Sequence, residues 1–184
     1  MSGEGSDKPE RLKGAAGVRP PERLAVRHDL SVFNNGKHPL LDDWLRDRAL
    51  ASEGLSARTY VVCAAAAITR VVGYYPISMA TEQRIALPTA KLRRGMPGQV
   101  PLLLIGRLAV DRGFQANGLG TELLADALRR CLAASEIAGV RGVVAHAIDD
   151  DAVGFYGRRG FLQSPLGRRV MLMPIEMVRA LFEG

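Results

Sequence analysis

Apolar residues recur along this chain with two periods, one of about 3.6 residues and one of two, and their alternation predicts the order of elements. Residues 1–23, MSGEGSDKPERLKGAAGVRPPER, follow neither period. They are Gly, Pro and charge with almost nothing to bury, which predicts a flexible tail ahead of one folded domain at 24–184. Leu41, Trp44, Leu45 and Ala49 recur at helical spacing after Pro39. The β-branched and aromatic runs Thr59–Cys63 and Val71–Tyr75 predict a strand hairpin. Residues 84–98 read as short helical pieces rich in Arg and Lys. From Val100 to Val110 the run is apolar except at Gly106 and Arg107, as expected of a strand buried on both faces. A helix is predicted from Gly118 to about Ile137, with Leu119, Leu123, Ala127 and Cys131 down one side. A second buried strand follows at Arg141–Ile148, then a short helix at Asp150–Arg159 stopped by Gly160, and a strand at Val170–Met173. Pro174 fits the first position of a closing helix whose apolar side is Met177, Val178, Leu181 and Phe182.

Strands first, then strand and helix in alternation, predict an α/β (α+β) domain: a mixed, twisted sheet of six or seven strands with helices on both faces. A length of 184 residues suits one such domain. Composition then excludes alternatives. With 47% hydrophobic and 24% charged residues, the chain is not disordered over most of its length. No apolar run approaches the roughly 18 residues of a membrane span, and the N-terminus lacks a signal peptide's apolar core. Cys63 and Cys131 share no metal or redox spacing and read as reduced thiols, so a cytoplasmic location is expected. Three scattered histidines and two distant cysteines predict no metal site.

Charge sharpens the picture. The net charge is +6, but the tail sets Lys8, Arg11, Lys13, Arg19 and Arg23 against Glu4, Asp7, Glu10 and Glu22, so the excess belongs to the folded part. Two stretches are free of acids: Gln83 to Val110 carries Arg84, Lys91, Arg93, Arg94 and Arg107, and Ala152 to Ile175 carries Arg158, Arg159, Arg168 and Arg169. Such clusters suit a polyanion.

The most informative segment runs from Leu104 to Leu124. A buried strand ends, a short polar turn follows, and Gly118 and Gly120 open a helix. Free backbone N–H groups and the positive end of the helix dipole make such a start an anion site. It is neither a dinucleotide fingerprint, which needs a third glycine and a later acid, nor a P-loop, which needs Gly-Lys-Ser/Thr.

Gln115-x-x-Gly118-x-Gly120 after a strand resembles the acetyl-CoA pyrophosphate loop of GNAT-fold N-acetyltransferases. Phe155-Tyr156-Gly157-Arg158-Arg159-Gly160-Phe161 resembles the second mark of that family. Further pieces resemble the TacT-like, tRNA-acetylating toxins of type II toxin–antitoxin modules: Leu41-Asp42-x-Trp44-Leu45, Ala57-Arg58-Thr59-Tyr60-Val61, Val72-Gly73-Tyr74-Tyr75, Leu92-Arg93-Arg94-x-Met96-Pro97 and Gly106-Arg107-Leu108-Ala109-Val110-Asp111. The resemblance spans residues from about 30 to 175. It implies that the backbone of Leu108, Ala109 and Val110 binds the pantetheine arm. Amides of Gln115, Ala116, Asn117, Gly118, Leu119, Gly120 and Thr121, with Phe155 beside them, would hold the pyrophosphate. It also implies two strands splayed to admit acetyl-CoA, with Gly106 compatible with a bulge there.

Tyr156 is the expected catalytic residue. A phenol with a pKa near 10 is no base at neutral pH, but it can protonate a departing thiolate. The absence of Asp, Glu or His from Gln83 to Val110 points away from lysine side chains, whose amine titrates near 10.4 and needs a base. It favours an α-amine at about 7.7–8.0, as on aminoacyl-tRNA. His146, alone on an apolar strand, reads as a hydrogen-bonded core residue, and Arg107 as pointing from the core or paired with an acid. Arg84, Lys91, Arg93, Arg94, Arg158 and Arg159 are the expected RNA contacts. The resemblance also implies a homodimer, a ribbon-helix-helix antitoxin and blocked translation. A GNAT enzyme for a small amine or protein N-terminus, without tRNA binding, and a non-catalytic acyl-CoA- or RNA-binding module remain alternatives.

Overall fold

The computed structural model describes residues 17–183. The chain forms β1 (Glu22–Arg23), α1 (Pro39–Trp44), a π-helical turn (Leu45–Ala49), α2 (Leu50–Ser52), β2 (Arg58–Cys63) and β3 (Val71–Gln83). A 3-10 turn (Arg84–Ala86) and α3 (Ala90–Arg93) lead to β4 (Gln99–Ile105) and β5 (Ala109–Val110). Then come a 3-10 turn (Arg112–Phe114), α4 (Leu119–Ser135), β6 (Gly142–His146), α5 (Asp150–Gly157), β7 (Leu162–Ser164), β8 (Gly167–Pro174) and α6 (Ile175–Ala180). One mixed sheet runs in the order β1-β2-β3-β4-β6-β8-β7, with β5 also on β3. Only β4 and β6 pair in parallel, Leu103 to Ile105 against Val143 to Ala145.

Strand alternation sorts the core. Leu103, Ile105, Val143 and Ala145 face α4 and α5, where Leu119, Leu123, Leu124 and Tyr156 are buried with them. Leu102, Val144 and Leu172 face the other way, beneath Leu87 and Leu92 of the excursion between β3 and β4. Phe33, Leu45, Val61 and Tyr74 form a third cluster under α1.

Several expectations need correction. The expected tail is described from Gly17 on, and that portion is tied down. Val18 bridges Ala64, Arg19 N–H donates to Cys63 O, and Glu22 and Arg23 pair with Val61 and Tyr60, because the open edge of β2 offers unsatisfied backbone groups. Residues 1–16 of the tail lie outside the described residues. The sheet has eight strands; the three-residue β7 is too short for its alternation to be read. Pro174 ends β8 opposite Gly142 and caps α6, whose first residue is Ile175. On α6 only Val178 is fully buried. Met177 and Leu181 are exposed, because the helix lies at the rim and presents one narrow strip to the core.

The apolar run Val100–Val110 is two strands. Ile105 pairs with Ile77 and Ala109 with Tyr74, so four steps of this chain oppose three of β3. That extra residue is a β-bulge, with Gly106 inside it and Pro76, which has no N–H, in the gap opposite. Beyond Ile105 and Ala145, β4 and β6 no longer pair, and the sheet opens into a V.

Candidate active site

The loop that follows β5 is held rigidly from below. Asp111, nearly fully buried, accepts from the N–H groups of Gly113 and Asn34 at 2.9 and 3.1 Å. Gln115 Nε2 donates to Asn35 O and Val110 O at 2.7 and 2.9 Å, so its side chain braces the loop against β5. Ala116 has φ +64° and is the only non-glycine with positive φ among the described residues; Gly118, the N-cap of α4, has φ +81°. A left-handed alanine costs about 1–2 kcal/mol, and such strain persists where function holds it. Left-handed residues two apart turn successive N–H groups toward one point, a nest for an anion, and the 17-residue α4 adds its positive end.

That nest opens on a cavity of about 270 Å³ lined by Val110, Gln115, Ala116, Gly118, Leu119, Gly120, Thr121, Phe155 and Arg159. Arg159 stands in the wall of this cavity. The sequence reading places it with the RNA contacts, but its guanidinium lies 3.8 Å from the centre of the Phe155 ring. It donates to Phe155 O at 2.8 Å and to Thr121 Oγ1. Its Nε is buried without a partner among the described residues. Burial, then the charge of Arg158, push its pKa below the ordinary value. A partly buried cation with no carboxylate, beside a nest of amides, is complementary to phosphate. The residue three positions beyond Tyr156 was brought here by the turn that follows α5, which the charge count could not show.

From the nest a channel continues. A section of about 330 Å³ is lined by Leu108, Ala109, Val110, Gln115 and Phe155 on the way to Tyr156. Strand β5 pairs only with β3, so its other backbone edge borders this section. Of the residues the resemblance assigns to the cofactor, all line the channel except Asn117, which sits exposed at the loop tip. The opposite wall was not foreseen. Lys37 Nζ lies 2.7 Å from both Asp149 and Asp151, and His38 Nε2 lies 2.7 Å from Asp149. These pairs clasp the segment before α1 to the start of α5. Lys37 and the Ala152 N–H hold the Asp149 carboxyl well below the usual range. Nothing in the spacing of residues 37 and 149 signals the contact.

The channel ends in a cavity of about 710 Å³ at the mouth of the V. Tyr156 lines both this cavity and the 330 Å³ section, which puts its phenol at their junction. Its ring is wedged between Phe155 and Phe161, with centroids 5.3 and 5.2 Å away. Burial pushes the phenol up to about 12, so it keeps its proton at neutral pH. The other walls come from Leu40, Asp43 and Trp44 of α1, Asp47 and Arg48 of the π turn, Leu104, the stretch Gly106 to Leu108, and His146 to Ile148. Local π geometry is frequent at functional sites. One expectation narrows here and another changes. Arg107 meets no acid within 4 Å among the described residues; its guanidinium caps the Trp44 ring at 4.7 Å. His146 is not a core residue. It follows the last β4–β6 pair, where the V begins, so its ring is half exposed (52%) in the cavity, with Nε2 3.8 Å from Glu82 Oε1.

Arg84, Lys91, Arg93, Arg94 and Arg158 form no ion pair among the described residues, whereas Arg168 and Arg169 share Asp150. Arg84 donates to Met96 O and Arg93 to Thr89 O, which leaves their charges uncompensated. One cluster has metal-like proximity: ligand atoms of Glu22, His28 and Cys63 lie within 4.8 Å of one another. His28 Nδ1 accepts from the Ala25 N–H, so Nε2 carries the ring proton toward Glu22 and has no lone pair for a cation. Both cysteines are buried and free. No helix among the described residues is long and apolar enough to cross a membrane.

Comparison with known proteins agrees with this geometry. Residues 24–161 match the profile of the Acetyltransferase (GNAT) family. A tRNA-acetylating toxin of Mycobacterium tuberculosis is 38% identical over 167 residues, covering 90% of this chain and 98% of that protein. The structure of AtaT complexed with acetyl-methionyl-tRNAfMet superposes with a TM-score of 0.82 at 26% identity, covering 90% of this chain and 99% of the other. AtaTR bound with acetyl-CoA superposes at 0.77 and 27% identity, covering 90% and 98%.

Proposed function

The chain belongs to the GNAT acetyltransferase family, and on that premise we propose that it transfers an acetyl group from acetyl-CoA to the α-amine of aminoacyl-tRNA, as the toxin of a toxin–antitoxin pair. The observation that carries the reading is the continuous channel, with an anion nest at one end, Tyr156 at the junction and an open cavity beyond. The residues present fit acetyl-CoA: the Ala116–Gly118 nest and the Arg159 guanidinium, which faces no carboxylate among the described residues, ask for phosphate, and the open edge of β5 for an amide chain. When bound, acetyl-CoA supplies the activated thioester. The loop amides and Arg159 hold its phosphates. The backbone of Leu108 to Val110 orients its arm, and the buried phenol of Tyr156 donates a proton to the departing sulfur.

Charge and the residues of β4 support the acceptor. No carboxylate or histidine lies on β4, and the uncompensated cations Arg84, Lys91, Arg93, Arg94 and Arg158 suit an RNA backbone. The 38% identical relative is a tRNA-acetylating toxin, which supports the same substrate. Acetylation removes the amine that attacks in peptide transfer, so translation stops. The catalytic unit takes in β1 and the domain that follows it, working in the cytoplasm where aminoacyl-tRNA is found. Its partners are a second copy of the chain and a ribbon-helix-helix antitoxin. The test is to incubate the purified protein with acetyl-CoA and total charged tRNA and to identify acetylated aminoacyl species by mass spectrometry. Acetylated aminoacyl-tRNA is expected; product on free amines alone overturns the reading.

A further inference from the structure

His146 stands in the acceptor cavity unused by the chemistry above. Along β6 its side chain shares a face with Val144, opposite to Val143 and Ala145, which pack under α4 and α5 with Tyr156. Tyr156 and His146 therefore approach the cavity at the V from different faces of the sheet, the tyrosine from the cofactor side. The imidazole is half exposed, and its Nε2 lies 3.8 Å from the Glu82 carboxylate, which projects on the same face from β3.

We propose that His146 is a second catalytic residue, the group that takes the proton from the acceptor's α-ammonium. The proposal rests on the aminoacyl-tRNA reading. An α-amine with a pKa of about 7.7–8.0 is only about one-tenth to one-sixth free base at pH 7, so most acceptor arrives protonated and unreactive. The other titratable groups around the cavity are unsuited to the task. Asp43 and Asp47, from α1 and the π turn, are carboxylates, whose basicity is far below that of an amine. The guanidinium groups of Arg48 and Arg107 are donors with no acceptor atom, and burial keeps Tyr156 protonated. On β8, Arg169 binds Ile148 O, and it and Arg168 are turned to Asp150; the segment 84–98 adds only cations. Imidazole is the kind of side chain that both takes and releases a proton near neutrality, and His146 is the one imidazole lining this cavity.

The step balances. The ammonium loses one proton to His146 Nε2, and the freed lone pair forms the nitrogen–carbon bond as the carbon–sulfur bond breaks. Tyr156 gives its phenolic proton to the sulfur and is restored by the second proton leaving nitrogen, while His146 releases its own proton to water.

The test compares wild type with His146→Gln in rapid-quench acetylation of one purified aminoacyl-tRNA at pH 7.0 and 8.5. The variant is expected to be about tenfold slower at pH 7.0, the limit set by the free-amine fraction, and within about twofold of wild type at pH 8.5. Acetyl-CoA affinity by calorimetry is expected to match wild type. A wild-type rate at pH 7.0, or the same loss at both values, overturns the proposal, the second outcome marking a structural role. Should His146→Gln fail to fold, His146→Ala with added imidazole carries the same test: rescue at pH 7.0 supports the role, and its absence overturns it. If wild type acetylates aminoacyl-tRNA and only the variant result fails, this role falls alone; if wild type acetylates none, the tRNA reading falls with it.

Discussion

The phosphate end of the channel comes mostly from one short run, residues 115–121, and most of its donors are backbone amides. The acceptor end is assembled from α1 and the π turn, the β4–β5 bulge, the end of β6 and α5, and its chemistry lies in side chains. The contrast has a physical source. An anion is satisfied by any set of converging N–H groups, so a loop conformation suffices and glycine spacing marks it. Discrimination among acceptors needs shape and placed side chains, which separate segments supply more freely than one loop can.

The largest test of this contrast is at the junction. Tyr156→Phe keeps the ring packed between Phe155 and Phe161 and removes only the proton donor. The expected result is a fall of about 10²-fold or more in kcat, with acetyl-CoA affinity unchanged by calorimetry. An unchanged kcat removes Tyr156 from the chemistry. Next in size is Arg159→Gln, which deprives the phosphate end of its side-chain cation. A charged hydrogen bond of about 1.5–3 kcal/mol corresponds to a roughly 10- to 100-fold weaker acetyl-CoA Kd. If affinity holds and tRNA binding drops instead, Arg159 belongs to the RNA face after all.

Replacing Arg93 and Arg94 together by Glu probes the outer surface. The KM for charged tRNA is expected to rise about tenfold at moderate salt, with acetyl-CoA binding intact. The slope of log affinity against log salt should flatten by about two if each arginine meets one phosphate. An unaltered slope places the RNA elsewhere. The smallest effect is expected at the clasp. Asp149→Asn preserves the cap on the Ala152 N–H but removes the charge facing Lys37 and His38. Because Asp149 has a depressed pKa when folded, its contribution is present above the usual carboxylate range and is lost as acid lowers the pH through the folded value. The expected result is a few-fold faster amide exchange across residues 35–38 at pH 7. At a pH low enough to protonate Asp149, wild type should match the variant. Equal exchange at pH 7 means the clasp holds nothing.

Much of this architecture was legible in the residues. Helical spacing at Leu119, Leu123, Ala127 and Cys131 marks a face that is buried, and Gly118 stands at the N-cap of α4. The run Val100–Val110 was legible as buried but not as two strands. A bulge is a mismatch between partners, and the partner's register is absent from the run itself. His146 was misread for the same kind of reason. Its apolar neighbours predict a covered strand, and only the parting of β4 from β6 after Ile105 leaves that one position open. Arg159 counted as one more surface cation until the turn after α5 laid it over Phe155.

The sequence by itself determined what depends on local chemistry: the order of elements, the anion nest of the 115–121 loop, the tyrosine near the end of α5, and a basic surface outside the tail. Periodicity, glycine freedom and side-chain type act over a turn or two of chain, so they can be read from neighbours. Only the tertiary structure decided which groups meet at the V. The clasp of His38 on Asp149, the cap of Arg107 on Trp44 and the facing of Glu82 and His146 join residues that are 111, 63 and 64 positions apart. Contacts that distant are set by the sheet's register and twist, which belong to the whole fold and to no single stretch of it.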